Sequence, residues 1–164
     1  MRNVSDVSGV LREAVQKKIR GTSVQVTFDI EKDLRPVEVD EAQIRQVFYN
    51  LTMNAVEAMP DGGTLTVKAE NIEIDNTSSF PPTQGSYLRI IFADTGKGIA
   101  EEHLSRIFDP YFSTKDMGDQ KGMGLGLSVC YSVLKKHDGH ITVTSQPGKG
   151  TAFALYLPGY LRDA

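Results

Sequence analysis

Polar and apolar residues alternate along VQVTFDI (24–30) and TLTVKAE (64–70), the period of two expected of half-buried strands, while YLRIIFAD (87–94) reads as a buried strand and HITVTS (140–145) and TAFALYLP (151–158) as a closing hairpin. Between them the period lengthens to that of helices. Residues 4–20 bring Val7, Leu11, Ala14 and Lys18 near one face. Residues 40–59 open with Asp40 as N-cap and Gln43 three positions on, and then carry Ile44, Phe48, Leu51, Ala55 and Ala58 as a stripe. A short helix is predicted over 100–107, with Leu104, Ile107 and Phe108 on one side. A further helix over 125–137 turns Leu127, Cys130, Tyr131 and Leu134 inward, with Lys135, Lys136 and His137 in its last turn and Gly139 past its end. Pro60 to Gly63 and the PGKG of 147–150 read as turns, and residues 71–86 as a hairpin with a long polar tip. DPYFSTKDMGDQK (109–121) has no period, which in a compact chain marks a functional lid or a disordered segment. This order predicts an α/β (α+β) two-layer sandwich, a mixed sheet with helices packed on one face.

Composition narrows the setting. At 164 residues the chain fits one domain, 1–164, with a core that needs neither disulfides nor a structural metal. A net charge of −3 argues against generic nucleic-acid binding. No apolar run approaches the roughly 20 residues of a membrane span, and the first residues lack a signal-peptide core, so the expectation is a cytoplasmic domain without membrane contact of its own. The single cysteine, Cys130, falls on the apolar side of its helix and reads as a buried thiol.

Three groups of residues carry candidate chemistry. Asn50, Asn54 and Glu57 follow i, i+4, i+7 along the flank of the 40–59 helix. Asparagine is a poor helix-interior residue, so the pair either bonds neighbouring backbone or presents an amide oxygen to a cleft, where it suits a hard cation such as Mg²⁺ carrying nucleotide phosphates. Asp94-Thr95-Gly96-Lys97-Gly98 ends a buried strand with a carboxylate, able to accept from an exocyclic amine, and turns away through glycines that let a flat ring lie against backbone. The third group joins the loop's Phe108, Tyr111, Phe112, Lys115 and Lys121 to KGMGLGLSV (121–129). That glycine run fits neither the dinucleotide fingerprint nor the P-loop, yet Gly122, Gly124 and Gly126 expose successive N–H groups at a helix start, an arrangement suited to phosphate.

In order, NLTMNAVEA, ADTGKGI, FDPYFSTK and GMGLGLS resemble the N, G1, F and G2 boxes of the catalytic ATP-binding domain of sensor histidine kinases, over about residues 10–158. That family shares the Bergerat α/β sandwich with gyrase, heat-shock-chaperone and mismatch-repair ATPases. The resemblance implies ATP and Mg²⁺ as cofactors and a long ATP lid at about 109–121. It makes Asn54 the Mg²⁺ ligand, Asn50 its support, and Asp94 the reader of the adenine amine, with Gly96 and Gly98 shaping the adenine pocket. Phe108 and Phe112 become lid anchors and Lys115 a catalytic lid contact near phosphate. Lys121, Gly122, Gly124, Leu125 and Gly126 form the phosphate loop, and Thr151 of GKGTAF lines the adenine pocket.

Hydrolysing relatives carry Glu where this chain has Asn50, which suits the site to an external nucleophile rather than water. Glu57 lies almost a turn too far along to substitute. None of His103, His137 and His140 has the surroundings of a phosphoacceptor, and they read as surface or capping residues. The implied partners are therefore a separate His-bearing dimerisation and phosphoacceptor helical domain and, through it, a response regulator, the isolated domain being monomeric. An anti-sigma-factor-type serine kinase and a nucleotide-gated interaction module without transfer activity are the competing readings.

Overall fold

The structure is a computed structural model that describes residues 2–75, 84–109 and 123–160, the last stretch with its side chains from Gly126 onward. Its elements are β1 (Asn3–Ser5), α1 (Ser8–Ile19), β2 (Val24–Ile30), β3 (Val37–Val39), α2 (Glu41–Ala58), β4 (Gly63–Ile74), β5 (Gly85–Asp94), α3 (Glu101–Leu104), α4 (Met123–Lys136), β6 (His140–Gln146) and β7 (Gly150–Pro158). Five strands form a mixed sheet in the order β2-β4-β5-β7-β6, and β1 and β3 pair as a separate antiparallel ribbon. β2 and β4 are parallel, and the chain crosses between them through α2. All other neighbours in the large sheet are antiparallel.

The core lies where one face of this sheet meets the helices. Leu65 and Val67 of β4, Leu88, Ile90 and Phe92 of β5 and Leu155 and Leu157 of β7 are buried against Leu11 of α1, Ile44, Phe48 and Leu51 of α2 and Leu134 of α4. Phe48 and Phe92 meet with ring centroids 6.1 Å apart. Burying each such side chain stabilises the fold by about 2–3 kcal/mol. Asp40 caps α2 by accepting the Gln43 N–H, as its place in the sequence predicts. Cys130 is buried, and burial pushes its thiol up to about 12, so it stays protonated at neutral pH.

Several boundaries differ from the sequence reading. The first helix begins at Ser8 rather than residue 4, because Val4 pairs with Glu38 in the β1–β3 ribbon, a contact between short segments that carry no readable period. Lys18 takes its place on the apolar side by laying its ammonium over the Tyr49 ring, 4.6 Å from the centroid. β4 runs on to Ile74 before its hairpin with β5, and residues 76–83 of the expected tip lie outside the described residues. The 100–107 helix is one turn, Glu101–Leu104, and Leu104 is only half-buried while Ile107 is buried. On α4, Tyr131 is 41% exposed and Val133 turns inward instead. The left-handed position after α4 is Asp138 (φ 59°), with the Gly139 N–H returning to the Leu134 carbonyl at 2.7 Å.

Candidate functional site

α2 forms one wall of the site, and its two ends meet different partners. Near the middle, Asn50 faces the first turn of α4, and its Nδ2 donates to the Gly126 carbonyl at 3.3 Å. At the C-terminal end, the Ala58 carbonyl accepts the Lys97 N–H at 3.2 Å and lies against Gly96. Asn54 stands between them, roughly 6 Å of helix from each at 1.5 Å per residue. The strand ends that carry Asp94 are therefore joined to the α4 start by two turns of a single helix.

The two asparagines have different environments. Asn50 is held at both ends of its amide, since its Oδ1 accepts from Gln46 Nε2 at 2.8 Å while Nδ2 serves Gly126. Because a carbonyl can only accept, Gly126 fixes which way the Asn50 amide points, and that in turn sets the Gln46 amide. Asn54 is half-buried and has no hydrogen-bond partner among the described residues. Of the two possibilities left open for the pair, Asn50 bonds backbone and Asn54 keeps a vacant amide.

Asp94 sits at the end of β5 in register one place beyond the Ala93 to Ala152 pair. Its Oδ1 accepts two backbone N–H groups, from Gly96 at 2.9 Å and from Thr151 at 3.2 Å. No described residue supplies a cation to it or a donor to its second oxygen. Burial raises its pKa above the usual carboxylate value, against the pull of those two N–H bonds. Gly96 and Gly98 owe their identity to protein neighbours: a side chain at Gly96 would strike the Ala58 carbonyl, and one at Gly98, whose φ is +76°, would strike the Gln146 carbonyl. Sequence reasoning assigned them a flat ring, whereas the close neighbours in the structure are backbone.

A cleft of about 350 Å³ at these strand ends is lined by Asp94, Ser145, Gln146, Lys149 and Thr151, with Ala93, Thr144, Gly150 and Ala152. Asn50 and Asn54 do not line it. Thr151 is buried and Phe108 packs on Phe153 and Tyr131, at 6.3 and 5.8 Å between centroids, which fits an anchor for the segment that follows. α4 begins at Met123, two residues earlier than expected, so Gly124, Leu125 and Gly126 belong to its first turn. What Gly126 offers its surroundings is a carbonyl as well as a place in the turn. Phe112, Lys115, Lys121 and Gly122, with Tyr111, lie outside the described residues.

His137 is buried rather than on the surface. Its Nε2 accepts the Asp40 N–H at 3.0 Å, which makes it a cap for α2, and its Nδ1 faces the Val133 carbonyl at 2.8 Å, where it can only donate. Sequence reasoning missed Gln46 and Ser145. Gln46 was open to it as the i−4 neighbour of Asn50, and Ser145 as the cross-strand partner of Thr151 once the turn set the register.

No described group of three or more His, Cys, Asp or Glu side chains could hold a metal by itself. No described helix is long and apolar enough to cross a membrane. The donor set fits Mg²⁺ only as an ion that arrives with phosphate oxygens and needs one or two protein ligands, for which the vacant Asn54 amide is suited.

Comparison with known proteins bears on this arrangement. The chain is 36% identical to the sensor kinase CckA of Brucella abortus, covering 98% of this chain and 17% of that protein. It is 37% identical to sporulation kinase A of Bacillus subtilis (94% and 22%) and 34% identical to the sensor histidine kinase ZraS of Escherichia coli K12 (89% and 28%). The chain thus spans less than a third of these curated relatives. Among solved structures, the catalytic domain of the histidine kinase ThkA superposes with a TM-score of 0.75 at 27% identity, covering 97% of this chain and 96% of that one. The two-layer sandwich of mixed sheet and one-sided helices is the fold of that domain. Residues 39–161 match the family described as histidine kinase-, DNA gyrase B- and HSP90-like ATPases, and the chain belongs to that family as a catalytic domain of the sensor histidine kinase type.

Proposed function

We propose that this chain is a single domain that binds Mg·ATP and transfers the γ-phosphoryl group to a histidine on a separate dimerisation and phosphoacceptor helical domain, from which a response regulator is served. The observation that carries the reading is Asp94: a half-buried carboxylate with no cation among the described residues, one oxygen fixed by two N–H groups and the other without a described donor. Such a group is costly to bury unless a ligand donor completes it, and the exocyclic amine of adenine is such a donor.

α2 then sets the direction of the nucleotide. The base lies by Asp94 and Thr151 at the Ala58 end, and the phosphates pass Asn54 toward the first turn of α4, because the N–H groups and positive dipole of a helix start favour anions. Mg²⁺, when bound, supplies charge neutralisation of the phosphates, with Asn54 as its protein ligand. Lys115 and Lys121 serve the phosphates from the lid, which Phe108 and Phe112 anchor.

Hydrolysis is disfavoured by the residue at position 50. A water-activating base would have to be an acid or a histidine, and Asn50 is an amide already engaged with Gln46 and Gly126. The site holds ATP for an outside nucleophile, consistent with relatives named sensor and sporulation kinases. Incubation with ATP, Mg²⁺ and a phosphoacceptor-helix fragment checks this. The expected product is an acid-labile, base-stable phosphoprotein; acid-stable label favours a serine kinase, and no transfer to any acceptor favours a nucleotide-gated interaction module. In this reading the domain acts on the cytoplasmic side and is monomeric alone.

A further inference from the structure

The hydrogens at the strand ends can be counted. Ser145 Oγ has one hydrogen and two lone pairs. It accepts the Ile99 N–H at 2.7 Å and lies 2.9 Å from the Gly150 carbonyl, which can only accept. The Ser145 hydrogen therefore goes to Gly150. Thr151 Oγ1 is also 2.9 Å from Ser145 Oγ, and with the serine hydrogen committed, that contact is attractive only when Thr151 donates. The Thr151 hydroxyl is left with lone pairs alone to show the cleft. Asp94 shows the same cleft a carboxylate oxygen with lone pairs alone.

Two acceptors side by side suit one kind of base edge. A 6-amino purine brings two N–H donors on its exocyclic nitrogen, whereas a 6-oxo purine brings an acceptor to the same place. We infer that Ser145 is a positioning residue for nucleobase selectivity: by holding the Thr151 hydroxyl as an acceptor beside Asp94, it builds a two-acceptor wall that admits 6-amino purines and rejects 6-oxo purines. The inference rests on the reading of this cleft as the base end of the nucleotide site. Ser145 itself need not touch the nucleotide. With its place on β6, tied to the Asp94 loop through Ile99 and to β7 through Gly150, loss of its hydroxyl frees the Thr151 hydroxyl to rotate and donate.

The test compares ATP with inosine triphosphate, which differs from ATP only in carrying a 6-oxo group and the N1–H that accompanies it. Affinities for both, with Mg²⁺, are measured by calorimetry on the chain and on Ser145→Ala, Ser145→Thr and Thr151→Val. The expected preference of the parent for ATP is at least 30-fold by the cost of an unpaired polar group, narrowing about tenfold in Ser145→Ala and Thr151→Val and restored in Ser145→Thr. The affinity ratio is insensitive to a general loss of stability, and Thr151→Val stands in should Ser145→Ala fail to fold. An ATP preference that persists unchanged in Ser145→Ala or Thr151→Val overturns the inference and leaves the ATP reading intact. A parent chain that binds no ATP overturns both.

Discussion

The long β4–β5 hairpin has a polar cluster at each end, and the two are built on opposite principles. At the end away from the site, Arg35 donates to the Ile72 carbonyl and to Glu73, and its N–H bonds Asn71 Oδ1 at 2.7 Å. Asn71 spends its amide hydrogens on Glu31, at 2.7 Å, and on the Asp33 carbonyl, at 3.1 Å. Glu73 takes Arg35 on one oxygen and the Ser86 hydroxyl on the other, and its pKa is lowered by the serine first and the arginine after. That cluster is closed, with cation, anion and amides serving one another. At the site end, Asp94 has a raised pKa, one open oxygen and no cation, and Asn54 has an amide with no described partner. Both ends carry polar groups, but only one leaves work for a ligand.

The contrast is tested most sharply at Asp94. Asp94→Asn keeps an oxygen for the Gly96 and Thr151 N–H groups but turns a donor toward the adenine amine. We expect ATP affinity to fall about 100-fold, roughly 2.7 kcal/mol, with no loss of melting temperature at neutral pH, because the desolvation cost of a half-buried charge has been removed. A melting temperature that falls together with affinity would place Asp94 among structural residues instead.

Asn54→Ala is the next in size. Calorimetry should show about a tenfold loss of ATP affinity with Mg²⁺ present and little change with the metal chelated, since the missing ligand bears on the metal alone. Equal losses in both conditions would remove Asn54 from metal binding.

At the opposite end, Arg35→Ala should lower stability by about 1 kcal/mol, the usual scale for a part-exposed pair with additional hydrogen bonds, and leave ATP affinity unchanged. Thermal melts beside calorimetry decide whether the two ends are as separable as the structure indicates.

The smallest effect is in the acid limb of stability. Glu73 has a lowered folded pKa, so its contribution is present above the unfolded carboxylate value and lost as pH falls through the folded value below it. Asp94 has a raised folded pKa, so its ionisation costs stability as pH rises from the unfolded value through the folded one, and the cost vanishes at lower pH. Melting curves against pH for Glu73→Gln and Asp94→Asn should therefore diverge from the parent in opposite directions. Parallel curves would sink the distinction between a closed and an open cluster.

The main helices, the five strands of the large sheet in their chain order and the Asp40 cap were legible in the chain, because each rests on neighbours within about four residues: alternation or apolar runs for strands, a recurring stripe for helices, a side chain reaching back three positions. Asn50, Asn54 and Asp94 could likewise be picked out from the residues themselves, and Thr151 through the family resemblance. Their separate roles could not. Whether an amide is tied or vacant depends on a carbonyl 76 positions away in the case of Asn50 and Gly126, and the Thr151 N–H that holds Asp94 is 57 positions from it. The β1–β3 ribbon, the protein backbone that crowds Gly96 and Gly98, and the burial of His137 beneath the start of α2 are of the same kind. Local pattern sets which face of an element is apolar; the partner that satisfies or leaves open a polar atom is chosen only when distant segments are packed together, and in this protein that choice is what separates a structural cluster from a site.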